Sequence, residues 1–327
     1  MARSLRIEYP GAVYHVINRG NYRDYIFNTD ESKQVFEELL FDCCQAYNWR
    51  LYGYCIMGNH YHLALETVDC NLSVGMQRLQ STYANKVNKF RRQQGHLFQG
   101  RYKSIVVDSD GYLGPLLHYI HLNPLRSKMI EPSTMAKYRY SSLWYMGTSR
   151  GKRPEFLDLS RSLYYAGNLP DTPKGRKNYL AYLGWLSEDR KAQKDMEFKK
   201  MCRGWALGDK RFKEELVQEN QDRFDRKHLL TNDCTEAREI YWEQVLKQML
   251  KQLDKSSKDI LTDKKGADWK VMIAHVMKRN MGVSNTWLSD NLNMGAIAGV
   301  SRNITKFETE RRFKKRGYKE LMSIIKT

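Results

Sequence analysis

His60 and His62 flank Tyr61 in an apolar stretch that follows Gly58-Asn59. On a strand, residues two apart point to the same face, so the two imidazoles can converge on one metal ion. Further along, the run Leu117-His118-Tyr119-Ile120-His121-Leu122-Asn123-Pro124 reads as helix. Tyr119 and Asn123 are four apart there and share one side. A histidine pair, a tyrosine and an amide oxygen are enough for metal-assisted attack on a DNA phosphate. With His60, His62 and Asn123 as ligands, three positions of an octahedron stay open for water and phosphate oxygens. That set suits Mg2+ or Mn2+ better than a closed zinc site.

Tyr119 is the candidate nucleophile. A phenol ordinarily titrates near 10 and is protonated at neutral pH, so a nearby cation or base must assist it. Its attack on phosphorus would leave a covalent phosphotyrosine and preserve the bond energy for rejoining. Tyr112 lies on roughly the same helical face and is the rival. Tyr61 points away from the histidines and belongs to the core. His118 and His121 flank Tyr119, and packing or bonding to the backbone is the expected role of each.

These groups need a scaffold, and the first 130 residues alternate strand and helix signals. Residues 12–18 read as a strand, and a helix capped by Thr29 or Asp30 follows over about 31–48. Strands over 51–57 and 60–66 are joined by a tight Gly58-Asn59 turn. A long amphipathic helix over 72–92 leads to a strand over 98–107. A last helix, capped by Asp108 or Asp110, carries Tyr119 and ends before Pro124. The order βαββαβα predicts an α+β fold, a ferredoxin-like antiparallel sheet with helices. The second and third strands would sit together centrally, with the Tyr119 helix packed across the histidines.

The composition names the partner. The 327 residues carry a formal charge of +18 and 12% aromatics, including 21 Tyr and 7 Trp. Such an excess of Lys and Arg points to a polyanion, and aromatics can stack on unpaired bases. Arg3, Arg6, Arg19, Arg23, Arg101 and Lys103 are the expected phosphate contacts of the catalytic domain. None of the six cysteines forms a C-x-x-C pair, so they read as ordinary core thiols in a reducing cytoplasm. No secretory signal or membrane-spanning run is evident, and a nucleoid-associated cytoplasmic protein is expected.

Irregular sequence over 131–158 suggests the edge of a first domain at about residue 150. An all-α region follows over 151–265, with helices expected over 176–188, 212–219 and 235–253 and a polar linker over 255–268. Residues 266–327 form the last unit. A helix over 270–279, a second capped by Ser284, a turn at Asn293-Met294-Gly295 and a third helix from about Ala296 make a helix-turn-helix-like pattern. Arg302 and Lys306 on the third helix are its candidate duplex-DNA contacts.

The motifs resemble a known family. His60-Tyr61-His62 is similar to the HUH motif, with Tyr61 at the bulky apolar position. The segments Pro10-Gly11-Ala12-Val13-Tyr14-His15-Val16 with Asn18-Arg19-Gly20-Asn21, Phe98-Gln99-Gly100-Arg101-Tyr102-Lys103-Ser104, and Tyr119-Ile120-His121-Leu122-Asn123-Pro124 also resemble the single-tyrosine HUH transposases. Together they resemble the REP-associated tyrosine transposases over about residues 1–145. The resemblance implies His60 and His62 as metal ligands, Tyr119 as nucleophile and Asn123 at the third ligand position. It also implies a 5′-phosphotyrosine on single-stranded DNA beside a hairpin.

Two readings follow. The first is a metal-dependent single-stranded DNA endonuclease and strand transferase acting at or near hairpins. The second is a catalytically silent regulator that reads duplex DNA through the C-terminal unit. An RNA-binding sheet is disfavoured because no RNP1-like run is present. Either a monomer or a homodimer is compatible with the sequence.

Overall fold

The computed structural model describes residues 6–220, 235–314 and 316–326, so Arg3 and Cys234 lie outside the described residues. Strand β1 (Ala12–Arg19) leads to helix α1 (Asp30–Ala46). Thr29 caps α1 through a reciprocal pair of bonds with Ser32. Strands β2 (Trp49–Ile56) and β3 (His60–Thr67) form the expected hairpin, and α2 (Leu72–Arg91) follows.

Strand β4 is Lys103–Val107, shorter than expected. Gly100 has a φ of +74°, and this left-handed turn ends any strand running in from Phe98. Helix α3 (Leu113–Arg126) carries Tyr119. No side chain caps it, since Asp108 accepts from the Asp110 amide in the preceding turn instead. Pro124 lies inside α3 rather than beyond it. Its missing N–H leaves the Ile120 carbonyl without its helical donor, and only Leu125 and Arg126 follow before the helix ends.

Sheet order is β2-β3-β1-β4-β5, where β5 is the two-residue strand Ala206–Leu207. Strands β1 to β4 pair antiparallel, as the ferredoxin-like plan requires. The central pair is β3 with β1, however, and β2 stands next to β3 at the edge. After the short helices α4 (Ser160–Tyr165), α5 (Pro173–Glu188) and α6 (Arg190–Asp195), strand β5 (Ala206–Leu207) joins β4 in parallel. The sheet is therefore mixed. Two residues show no periodicity, which is why this strand has no sequence signal.

The two faces differ. Tyr61 on β3 packs 4.7 Å from Phe36 of α1, and Phe36 meets Tyr83 of α2 at 5.2 Å, all fully buried. His62 points to the opposite face, where α3 lies. Gly53 on β2 allows that approach, because a Cβ there would come within 2.9 Å of the Leu117 methyl on α3. His118 and His121 are buried in the scaffold, both bonded to the Tyr179 hydroxyl of α5 at 3.1 and 2.8 Å.

The chain divides into two compact units, Arg6–Asp209 and, among the described residues, the chain from Lys210 onward. The expected boundaries at 150 and 265 both fall inside a unit. Helices α4 and α5 contact α3, so they belong with the sheet. The second unit holds α7 (Lys210–Glu219), α8 (Thr235–Gln252), α9 (Ser257–Thr262), α10 (Asp268–Met281), α11 (Asn285–Asn291), α12 (Ile297–Thr309) and α13 (Arg316–Lys326). The segment read as a linker is not one. A Ser256–Asp259 capping box starts α9, and Lys270 donates to the carbonyls of Ile260 and Asp263 at 2.7 and 3.0 Å. Its polar residues satisfy one another and the next helix, a pattern that local composition cannot distinguish from solvated chain.

Candidate active site

Strands β1 and β3 present His15, His60 and His62 to the face covered by α3. Ile17 is the direct partner of His62 and Arg19 that of His60, so His15 lies one alternation away from His62 on the same face. The His15 Nδ1–H donates to the Met201 carbonyl at 2.8 Å. His15 Nε2 and His62 Nδ1 are 3.0 Å apart, with the rings stacked at 5.2 Å. His60 Nδ1 lies 2.6 Å from Asn59 Oδ1, and the His60 and His62 rings meet edge to face at 5.0 Å.

Tyr119 enters from α3. Its ring stands edge-on to His62 at 5.7 Å and to His15 at 6.3 Å. The Arg126 guanidinium lies 4.7 Å over its centroid. The Tyr119 hydroxyl and the Cys202 thiol are hydrogen-bonded at 3.1 Å. Phe198 packs on the same ring at 5.6 Å, and the Lys103 ammonium donates to the Cys202 carbonyl at 3.3 Å. The chain just before β5 is thus fastened across the site by His15, Lys103 and Tyr119.

Burial sets the protonation states. It pushes His15 and His60 down to about 4, with Arg19 adding to the effect on His60. His62 falls well below the ordinary imidazole value, again chiefly through burial, with His15, His60 and Arg126 adding to it. All three are neutral at pH 7 and keep a lone pair for a ligand. Burial raises the Tyr119 phenol well above 10 and Cys202 raises it further, while Arg126 opposes the shift. Cys202 is itself raised by burial and stays a thiol.

Two donor sets share His62. In the set expected from the sequence, His60 and His62 would act with Asn123. His62 Nε2 is buried without a partner among the described residues, and so is the Asn123 amide nitrogen. An amide whose nitrogen has no partner can equally be turned to present its oxygen. Two neutral imidazoles and a hard oxygen fit a divalent cation of the Mg2+ or Mn2+ type. In the other set, ligand atoms of His15, His62 and Cys202 lie within 4.8 Å of one another. That set needs a thiolate, which burial disfavours, and its sulfur is already bonded to Tyr119.

Tyr112 is the residue just before α3, where its side chain caps nothing. Arg19 is exposed beside His60 and bonded to Gln99. Arg23 and Arg101 are exposed, and Arg23 has a φ of +62° in the loop after β1. Arg6 is held inside the fold, 4.1 Å over the Tyr102 ring and bonded to Ser73. Arg302 and Lys306 are exposed on α12 in the second unit.

Sequence reasoning missed His15, Arg126 and Cys202. Arg126 had a usable signal, since it follows Tyr119 by two helical turns and Asn123 by three residues. His15 had a weaker one, a lone histidine among buried strand residues. Cys202 and Met201 had none.

Residues 9–123 match the family model described as Transposase IS200 like. The matched stretch, about a third of the chain, is similar to IS200-like transposases. The matched stretch runs from just before β1 into α3 and contains His15, His60, His62, Tyr119 and Asn123, while Arg126, Phe198, Met201 and Cys202 lie beyond it. A solved structure of a REP-associated tyrosine transposase bound to a REP hairpin is similar over 49% of this chain and 93% of that chain, at 13% identity and a TM-score of 0.39. No curated protein matches the chain. Among the described residues, no helix is long and apolar enough to cross a membrane.

Proposed function

We propose that the chain is a metal-dependent single-stranded DNA endonuclease and strand transferase acting at or near hairpin DNA of the REP type. The observation that carries this reading is the Tyr119 ring set against His62 at 5.7 Å within the stretch that is similar to IS200-like transposases. His60, His62 and Asn123 would hold a divalent cation, Mg2+ or Mn2+, which when bound would supply a Lewis acid to the scissile phosphate. The Tyr119 oxygen attacks phosphorus and loses its proton to water. The new O–P bond forms as the bond to the 3′ oxygen breaks, and that oxygen leaves as a hydroxyl after taking up a proton. In the rejoining step another 3′-hydroxyl attacks the 5′-phosphotyrosine and gives its proton to water, and the Tyr119 O–P bond breaks to return the phenol, reprotonated from water. Arg126 stabilises the developing phenolate, and Arg19, Arg23, Arg101 and Lys103 draw the strand onto the sheet face. Arg6 packs on Tyr102 and contributes to the fold instead.

A labelled hairpin oligonucleotide incubated with the protein and Mn2+, then run on a denaturing gel, tests the reading. A covalent band is expected that needs the metal and vanishes in Tyr119→Phe. Binding without a band from either protein would sink it.

A second reading has its own observation. Ser301, Arg302, Thr305 and Lys306 form an exposed stripe along α12, after a turn in which Gly295 takes a φ of +82°. Residues 266–327 would place this stripe in a major groove as a helix-turn-helix-like reader of duplex DNA. If that is the whole function, operator binding persists in Tyr119→Phe and is lost in Arg302→Ala with Lys306→Ala. In either reading the protein works on nucleoid DNA in the cytoplasm, as a monomer or a homodimer.

A further inference from the structure

We infer that His15 and Asn59 are positioning residues that hold His62 and His60 in the tautomer with a bare Nε2, so that both histidines present that atom to the cation. The inference rests on the proposal that His60 and His62 are the ligands.

The argument is a count of protons. A carbonyl oxygen only accepts, so His15 Nδ1, 2.8 Å from the Met201 oxygen, must carry hydrogen. His15 is fully buried, and no carboxylate bonds to it among the described residues. A second proton would leave an unpaired buried cation. His15 Nε2 is therefore a lone pair. Across 3.0 Å, the proton of that contact must come from His62 Nδ1. His62 Nε2 is then left without hydrogen, and it is the atom with no partner. Met201, His15 and His62 form one directed chain that ends on a vacant acceptor.

Asn59 does the same for His60. Its Nδ2 donates to the Arg23 carbonyl at 3.2 Å, which fixes which end of the amide is which. Oδ1 therefore faces His60 Nδ1 at 2.6 Å and can only accept. His60 Nδ1 carries the hydrogen and Nε2 is bare. Outer partners of this kind fix ring orientation and typically account for about 10- to 100-fold in metal affinity.

Two measurements on the full chain test this. The first is Mn2+ binding by titration calorimetry, without DNA, for wild type, His62→Ala, His15→Leu and His15→Gln. Glutamine can donate to Met201 and accept from His62, whereas leucine can do neither. Binding should weaken about 10- to 100-fold in His15→Leu. It should stay within a few-fold of wild type in His15→Gln. Affinity unchanged in a folded His15→Leu, but lost in His62→Ala, would overturn the inference and leave the metal reading intact. No Mn2+ binding by wild type, or binding indifferent to His62→Ala, would overturn the metal reading itself.

The second is nitrogen-15 NMR of the metal-free wild type, which needs no variant to fold. The His62 and His60 rings should each show hydrogen on Nδ1. Hydrogen on His62 Nε2 would overturn the inference. So would a metal site that depends on Cys202 and His15 and not on His60, because His15 would then be a ligand and not a positioning residue.

Discussion

The phenol of Tyr119 and the thiol of Cys202 share a hydrogen bond of 3.1 Å across 83 residues of sequence. The contact occupies the group proposed as nucleophile and raises its pKa further. Cys202→Ala should free the hydroxyl. A net hydrogen bond is worth about 1 kcal/mol, so adduct formation should quicken about fivefold while the fold loses a similar amount of stability. Single-turnover rates on a hairpin substrate check this, and a slower variant would contradict it.

Arg126 acts on the same ring with the opposite sign. Its guanidinium lowers the phenol pKa and sits 4.7 Å over the ring. In Arg126→Met the phenol should titrate higher, so the rising limb of the pH–rate profile should move to higher pH. The lost cation–π contact should cost about 0.5–1 kcal/mol of stability. An unmoved profile would mean that Arg126 only packs.

Salt dependence should report the basic face. Arg19 and Arg23 are exposed on the loop side of β1, one of them directly opposite His60. Replacing both by Ala should reduce the slope of log affinity against log salt for single-stranded DNA by about 1.4, roughly 0.7 per charge removed. Equal slopes for variant and wild type would remove these residues from the DNA path.

The buried histidines of the scaffold predict acid sensitivity. Burial pushes His118 down to about 4 and His121 to about 3, below the ordinary imidazole value. The unfolded chain therefore takes up these protons first as pH falls. Their stabilising effect is complete above about 6.5 and is lost as pH drops through the window down to about 3. Melting temperatures across that range should fall steeply. A flat curve would show that these rings take up protons as readily in the fold as in the unfolded chain.

Much of this was legible in the sequence, for local reasons. The i, i+2 spacing of His60 and His62 and the i, i+4 spacing of Tyr119 and Asn123 are properties of single elements, and each element formed nearly where its periodicity placed it. His15 was harder, because its role depends on register: only the β1–β3 pairing sets it beside His62. Cys202 and Met201 were invisible. They reach the site through a two-residue strand that closes a loop from β4 across several helices, and nothing within reach of a sequence window records that closure. The segment 255–268 shows the converse. Its charges look solvated until Lys270 supplies their geometry.

The central claim concerns one oxygen atom. Mass spectrometry of a proteolytic digest, after reaction of the full chain with a hairpin oligonucleotide and Mn2+, locates the covalent link. The account predicts a nucleotide joined through its 5′ phosphate to the peptide containing Tyr119, at Tyr119. A link at Tyr112 or elsewhere, or no link in a preparation that binds both Mn2+ and the hairpin, would contradict it.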